Sequence, residues 1–314
     1  MAIRAVLETL KFLEVRELLT TAALVSTAWK SLVYSEEILL HQLSDREEDE
    51  ANSALPLYQR VKKAMETVNY LLCLAKGEML VWNISKSAQP PLIVHHAAFI
   101  DSSIYVPVSS STAIITGGDG QETLCIQVSV KGGKVTLLPA LLRKHTWHGA
   151  ALLKRTLYVS GGRVNNRSQA YTEKYEDGHW TTIADMHIPR HSHTLSPYRS
   201  RIYAFGGTNH QRVLTSIEYY NGNIWTQAPM SLPTNRDYPS IIPMLNKLLL
   251  VGGCPPLAPS RFLALWDEAS GSWKAAHVKG AEFARSNAVA ERQGRIYMYD
   301  FGGNRRSWPM PAFD

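Results

Sequence analysis

Eleven histidines, three cysteines and a spaced set of arginines are the residues of this chain with most chemistry to offer. The histidines include three close pairs: His95 with His96, His145 with His148, and His191 with His193. On a strand, residues two apart share a face and residues three apart do not, so only His191 and His193 are placed to act together as metal ligands. A catalytic zinc needs a third protein ligand converging on the same pocket, and the sequence names none. Cys73, Cys125 and Cys254 lie far apart, without the paired spacing of a zinc site or a disulfide framework. They read as core thiols of a reducing compartment. No serine stands in a G-x-S-x-G elbow. The stretch "RIYAFGG", residues 201–207, ends in a glycine pair like the start of a phosphate loop. The following "TNHQRVL" lacks the later glycine and the Lys-Ser/Thr pair that such chemistry requires. The histidines therefore read as ordinary polar side chains at the start of inner strands. No metal or other cofactor is expected, and the chain is not expected to be an enzyme.

The arginines point to recognition instead. One series, Arg143, Arg190, Arg236 and Arg285, recurs at intervals of 47, 46 and 49 residues. A second, Arg163, Arg212, Arg261 and Arg305, follows successive glycine pairs. A guanidinium presents a rigid fork that matches a carboxylate or a phosphate. The formal charge of +6 divides into −3 for residues 1–68 and +9 for the rest. Both series are expected on loops gathered at one face, with an acidic or phosphorylated protein segment as the partner. Arginines spread at repeat intervals do not form the single basic stripe of a nucleic-acid surface. No run of 18 apolar residues is present to cross a membrane. The first residues carry acids from Glu8 onward and no small-residue cleavage site, so no secretory leader is expected, and the expected location is cytoplasm or nucleus.

The elements that position these residues are legible as a repeat. Five phrases end in a glycine pair: Gly117-Gly118, Gly161-Gly162, Gly206-Gly207, Gly252-Gly253 and Gly302-Gly303. Their second glycines are 44, 45, 46 and 50 residues apart, the periodicity of an array or propeller. In three units an aromatic follows about 12 or 13 residues after the glycines (Tyr175, Tyr219 or Tyr220, Trp266), then a glycine turn, then a tryptophan (Trp180, Trp225, Trp273). Four short antiparallel strands per unit make a propeller blade. The glycines allow positive φ and close passage beside the neighbouring blade, and the tryptophans are sized for the wedge that widens between blades. Residues 69–92 read as one more, degenerate unit. The fold expected for residues 69–314 is therefore mainly β, a propeller of about six four-stranded blades. Ahead of it, residues 1–44 carry helical apolar spacing, and residues 45–68 combine an acidic linker with one connecting helix.

The order strand, Gly-Gly, Tyr, Trp resembles the kelch repeat over residues 95 to about 303. The unit after Gly118 departs from it, with neither Tyr nor Trp in the expected places. The helical part resembles an F-box: Phe12-Leu13, Leu18-Leu19, Leu24-Val25-Ser26, Trp29 and Leu32 fall in that family's order. The family's usual opening is replaced by "MAIRAV". The resemblance implies that Phe12, Leu13, Leu18, Leu19, Leu24, Val25, Trp29 and Leu32 bind a Skp-type adaptor, and through it a cullin ubiquitin ligase, while the propeller loops hold the target protein. Two readings stay open at this point: a substrate adaptor of such a ligase, or a kelch scaffold that binds a protein partner without one.

Overall fold

The computed structural model describes residues 70–75, 78–83, 92–95, 102–109, 112–129, 134–244, 247–253, 262–277, 286–292, 295–300 and 305–311. Residues 70–314 form one compact unit. The helical module expected at 1–44, with its eight adaptor-binding residues, and the connecting segment at 45–68 lie outside the described residues.

Every described element of this unit is a strand, and nearly all are built by short hairpins. The first sheet holds β1 (Tyr70–Ala75), β2 (Glu78–Asn83) and β3 (Leu92–His95). The second holds β4 (Ile104–Ser109), β5 (Thr112–Thr116), β6 (Cys125–Ser129) and β7 (Val135–Leu137). The third holds β8 (Gly149–Leu153), β9 (Thr156–Ser160), β12 (Thr172–Glu176) and β13 (His179–Ile183). Between its second and third strands a small ribbon, β10 (Arg163–Val164) with β11 (Arg167–Ser168), projects from the glycine loop. The fourth sheet is β14 (Thr194–Tyr198), β15 (Arg201–Phe205), β16 (Ser216–Tyr220) and β17 (Trp225–Ser231). The fifth is β18 (Ser240–Met244), β19 (Lys247–Val251), β20 (Phe262–Asp267) and β21 (Ser272–His277). The last is β22 (Ser286–Arg292), β23 (Arg295–Asp300) and β24 (Arg305–Pro309). All the pairings are antiparallel.

The expectation of six four-stranded blades is corrected. Four sheets have four strands, and β1–β3 and β22–β24 have three among the described residues. The complete blades that match the repeat best tie their third strand to their fourth by a cross-strand aromatic pair: Tyr175 with Trp180, Tyr220 with Trp225, and Trp266 with Trp273. Such pairs hold neighbouring strands in register. In the first sheet the aromatics Tyr70 and Trp82 are not cross-strand partners, their registers falling on Asn83 and Leu71.

The first strand of each sheet is innermost and lies beside the first strands of its neighbours, β4 beside β8, β8 beside β14, and β14 beside β18. It has a hydrogen-bonded partner on one side only. That free edge explains a proline at the fourth residue of β4, β14 and β18 (Pro107, Pro197, Pro243), because a missing N–H is tolerated on an edge.

The core lies between sheets rather than within them. Val106, Ile114, Cys125 and Leu141 pack on Leu157, Val159 and Trp180. Ala151 and Met186 pack on Leu195, Ile202, Ala204, Tyr220 and Trp225. Tyr203, Phe205 and Ile217 pack on Leu248, Leu250 and Ala264. Leu249, Val251, Leu263 and Leu265 pack on Ile296 and Met298. The indole N–H of each blade's tryptophan reaches the preceding sheet or the segment leaving it: Trp180 donates to the Pro139 carbonyl at 2.9 Å, Trp225 to Thr172 Oγ1 at 3.2 Å and Trp273 to the Ser231 carbonyl at 2.8 Å. Trp225 is 1% exposed. Trp225→Ala should therefore open a cavity between two blades and cost about 3–5 kcal/mol, read as a lowered urea midpoint. A loss below about 1 kcal/mol would show that the wedge does not depend on the indole.

Candidate functional site

The loops that join second to third strands, and those that join one blade to the next, emerge at the same end as the glycine pairs. What fixes them is a joint built from one residue per repeat. Sixteen positions before Gly161, Gly206 and Gly252, the first glycines of three successive pairs, stand His145, Arg190 and Arg236. The carbonyl of each accepts the N–H of the preceding blade's second glycine: Gly118 to His145 at 3.1 Å, Gly162 to Arg190 at 2.8 Å, and Gly207 to Arg236 at 2.9 Å. The side chain of each turns the other way and binds its own blade. Arg190 Nη1 donates to the Gly206 carbonyl at 2.9 Å, and Arg236 Nη1 to the Gly252 carbonyl at 2.7 Å. His145 Nδ1 lies 2.8 Å from the Gly161 carbonyl.

This closeness explains the glycines. A Cβ on Gly161 would stand 2.4 Å from the Arg190 carbonyl oxygen, and φ there is +62°. At Gly206 the corresponding distance to the Arg236 carbonyl is 2.8 Å, with φ +58°. Only glycine meets both conditions without strain.

Two buried glutamates complete the joint. Glu218 accepts from Arg190 Nη2 at 2.7 Å and from the backbone N–H groups of His187 and Ile188 at 2.7 and 3.1 Å. Glu173, one repeat earlier, accepts from Leu142 and Arg143 N–H at 2.8 and 2.7 Å, and its Oε1 lies 3.1 Å from His145 Nε2. In the next repeat the same position is Ala264, and the Arg236 guanidinium lies over the Phe262 ring, 4.0 Å from its centroid.

The two arginine series thus part company. Arg190 and Arg236 are 0% and 3% exposed, so they are corrected from surface ligands to internal joints. Counting back from the glycines, the counterpart of Arg190 is His145 and not Arg143. Arg143 is exposed, its guanidinium 5.0 Å from the Tyr171 ring centroid. Arg163 and Arg212 are exposed on the loops after two glycine pairs. Arg261, Arg285, Gly302 and Gly303 lie outside the described residues, and Arg305 is placed as backbone only, in β24.

Arg167 and Lys144 escaped the sequence reading because they fall off the repeat interval. An open cleft of about 680 Å³ is lined by Lys144, Val164, Asn165, Arg167, Gln169 and Tyr171. The tight turn at Asn165 and Asn166, both with positive φ (50° and 61°), aims the β10–β11 ribbon over it. Asn-rich turns of this hand are the ones that fit a two-residue hairpin.

The histidines serve the same framework. His148 Nε2 is 2.8 Å from Thr116 Oγ1, and His193 Nε2 is 3.2 Å from Ser160 Oγ, each reaching the preceding blade. Burial pushes both rings well below the ordinary histidine range, with the Arg190 guanidinium adding to the effect at His193. His191 is lowered to about 4 by burial, Arg163 and His210. Burial pushes the Cys125 thiol up to about 12, far from a reactive thiolate. Among the described residues no three of His, Cys, Asp and Glu gather to hold a metal, and no helix is long and apolar enough to cross a membrane.

Comparison with known proteins agrees with this architecture. A kelch motif is matched over residues 189–230. Kelch-like protein 35 of Mus musculus is 30% identical over 32% of this chain, and Kelch-like protein 33 of Homo sapiens is 31% identical over 40%. Spermatocyte protein spe-26 of Caenorhabditis elegans is 22% identical over 69%. These matches take up 18%, 25% and 39% of the relatives' own lengths. The solved structure of YjhT superposes with a TM-score of 0.53 over 63% of this chain and 71% of that one, at 15% identity, which speaks for the fold alone. The chain thus carries a kelch motif within this array of sheets. The expectation of a Skp-type adaptor, and of the cullin ubiquitin ligase reached through it, is overturned: the matched kelch motif and the Kelch-like relatives favour the protein-binding scaffold instead.

Two outcomes follow from the joint. Arg190→Ala leaves Glu218 buried without its cation and should cost about 3–5 kcal/mol, whereas Arg163→Ala and Arg212→Ala should each stay within about 0.5 kcal/mol. Urea midpoints of the three variants decide between internal and surface roles. Acid should also weaken the fold. His148 and His193 titrate near 6.5 when unfolded and lower when folded, so the unfolded chain takes up their protons first. Stability is then full above about pH 6.5 and falls below it, by at most about 1.4 kcal/mol per pH unit for each ring. A His148→Gln/His193→Gln variant should show a shallower decline in melting temperature between pH 7 and pH 5. A decline parallel to that of the natural chain would contradict this assignment.

Proposed function

We propose that this kelch-repeat chain is a non-catalytic protein-binding scaffold, and that it docks an acidic segment of its partner on the end of the propeller that bears the glycine loops. One observation carries the reading. The loops at 161–171 and 206–215 present Arg163, Arg167 and Arg212 to solvent and contain no Asp or Glu. At the edge of the first loop, Lys144 and Tyr171 continue the cationic cleft. Lys144 does meet an acid, Glu122, but at 3.9 Å and with its side chain 61% exposed, a pair that water screens heavily. Repeats place equivalent loops together, so their charges add at one end. Opposite charge on the partner then speeds encounter and fixes its register.

Rim charges are individually weak, under about 1 kcal/mol each, so the test removes several. The full chain should bind a labelled glutamate-rich peptide in low salt and release it as salt rises. Arg163→Glu, Arg167→Glu and Arg212→Glu together should lower the affinity at least about tenfold, which is about 1.4 kcal/mol, without lowering the urea midpoint. An affinity unmoved by the triple reversal would place the docking surface elsewhere.

A further inference from the structure

The residues at 147, 192 and 238 occupy one position of the repeat, with Ser102 as the counterpart in the blade before. Each N–H donates to the carbonyl of the preceding one: Trp147 to Ser102 at 3.4 Å, Ser192 to Trp147 at 2.7 Å, and Tyr238 to Ser192 at 2.8 Å. All three hold a left-handed backbone, with φ of 53°, 54° and 51°, though none is glycine. Glycine or asparagine would take that conformation at lower cost. The backbone therefore gives no reason for an indole and a phenol at this position, and the reason lies in the side chains.

Those two side chains meet. The rings of Trp147 and Tyr238 stand edge to face, with centroids 5.6 Å apart and planes at 80°. Trp147 begins the sheet of β8 and Tyr238 the sheet of β18, with the sheet of β14 between them. Side chains from sheets two apart come together only near the axis, so the pair sits at the axial mouth and spans Ser192. Both residues keep part of their surface exposed, unlike the wedge residues Trp180 and Trp225. The mouth adjoins the basic loops. Arg163 N–H donates to the Thr146 carbonyl at 2.7 Å, next to Trp147, and the loop of Arg212 is tied to His191, next to Ser192, through Thr208.

We propose that the joined Trp147–Tyr238 pair is the platform on which a prolyl residue of the acidic segment docks, an inference that rests on the docking end assigned above. Aromatic faces attract cations or flat apolar rings, and the neighbouring arginines disfavour a cation. Proline supplies a flat apolar ring on a chain already extended, so little ordering is lost when it docks against aromatics. Acidic residues on either side of it would meet Arg163 and Arg212.

The test uses the full chain and two labelled twelve-residue peptides, one alternating Glu and Pro and one alternating Glu and Ala, followed by fluorescence anisotropy. The Glu-Pro peptide should bind at least about fivefold more tightly. Trp147→Asn and Tyr238→Asn, which suit the left-handed backbone, should each erase that preference without lowering the melting temperature. Trp147→Phe and Tyr238→Phe should retain most of it. Independently of any variant, a Glu-Pro peptide bearing a photoreactive proline analogue should label Trp147 or Tyr238 of the natural chain, and labelling confined to other residues would overturn this docking platform. Equal binding of the two peptides would overturn it as well, as would a proline preference that survives both Asn substitutions. So would a dimer of the natural chain that Trp147→Asn dissociates, since the mouth would then hold a second copy. In those cases, Glu-Ala binding that still disappears with the triple arginine reversal would leave the basic docking end standing. Failure of both peptides to bind would remove both readings.

Discussion

A single hydrogen bond, from the second glycine of one blade to the carbonyl that opens the next, constrains nearly everything else in this domain. It requires a glycine pair with left-handed φ and no Cβ, because the neighbouring carbonyl occupies that space. It fixes where the inner strand begins, and so which side chains face the axis. The residue that supplies the carbonyl, His145, Arg190 or Arg236, then ties back to its own glycine turn. One residue thus couples adjacent sheets through its backbone and orders its own sheet through its side chain. A net contribution of about 0.5–1.5 kcal/mol for each such bond is modest. Its importance lies in repetition, because repeat proteins hold together through nearest-neighbour interfaces.

The arrangement separates stability from recognition. Cations on the repeat interval are drawn inward and neutralised, as with Arg190 against Glu218, or laid on an aromatic ring, as with Arg236. Cations on the loops beyond the glycines, Arg163, Arg167 and Arg212, remain at the surface. The net +9 of residues 69–314 therefore overstates the charge a partner meets, and the acid-free loops are the better guide. The histidines belong to the framework as well. His148 and His193 bridge to hydroxyls of the preceding blade, although His191 and His193 share the spacing of a metal-ligand pair in the sequence.

Much of the fold was legible because the repeat is written in residues with few substitutes. The glycine pairs, the hairpin glycines and the tryptophans each answer a steric demand, and they located the strands of the three central repeats closely. Strand number at the ends of the array was not legible, since an outer strand paired on one side leaves little mark in sequence when its aromatic pair is missing. The internal arginines were misread for a different reason. Regular spacing identifies equivalent positions, but not whether a side chain points outward or into the joint. Counting back sixteen residues from each glycine pair would have aligned His145, rather than Arg143, with Arg190, and a histidine there already hints at a buried, hydrogen-bonded site. The axial pair Trp147 and Tyr238 was invisible because its members come from sheets two apart, and nothing in the linear sequence joins them.

Native-state hydrogen exchange at the amides of Gly118, Gly162 and Gly207 tests the joint most directly. Loop amides near a surface normally exchange through local openings of low free energy. If these bonds hold the blades together, the three amides should exchange only as slowly as those of the buried strands β9 and β15, through opening of the whole domain. Exchange at loop-like rates, with the strands still protected, would show that the blades stay together without the glycine joint and would contradict this account.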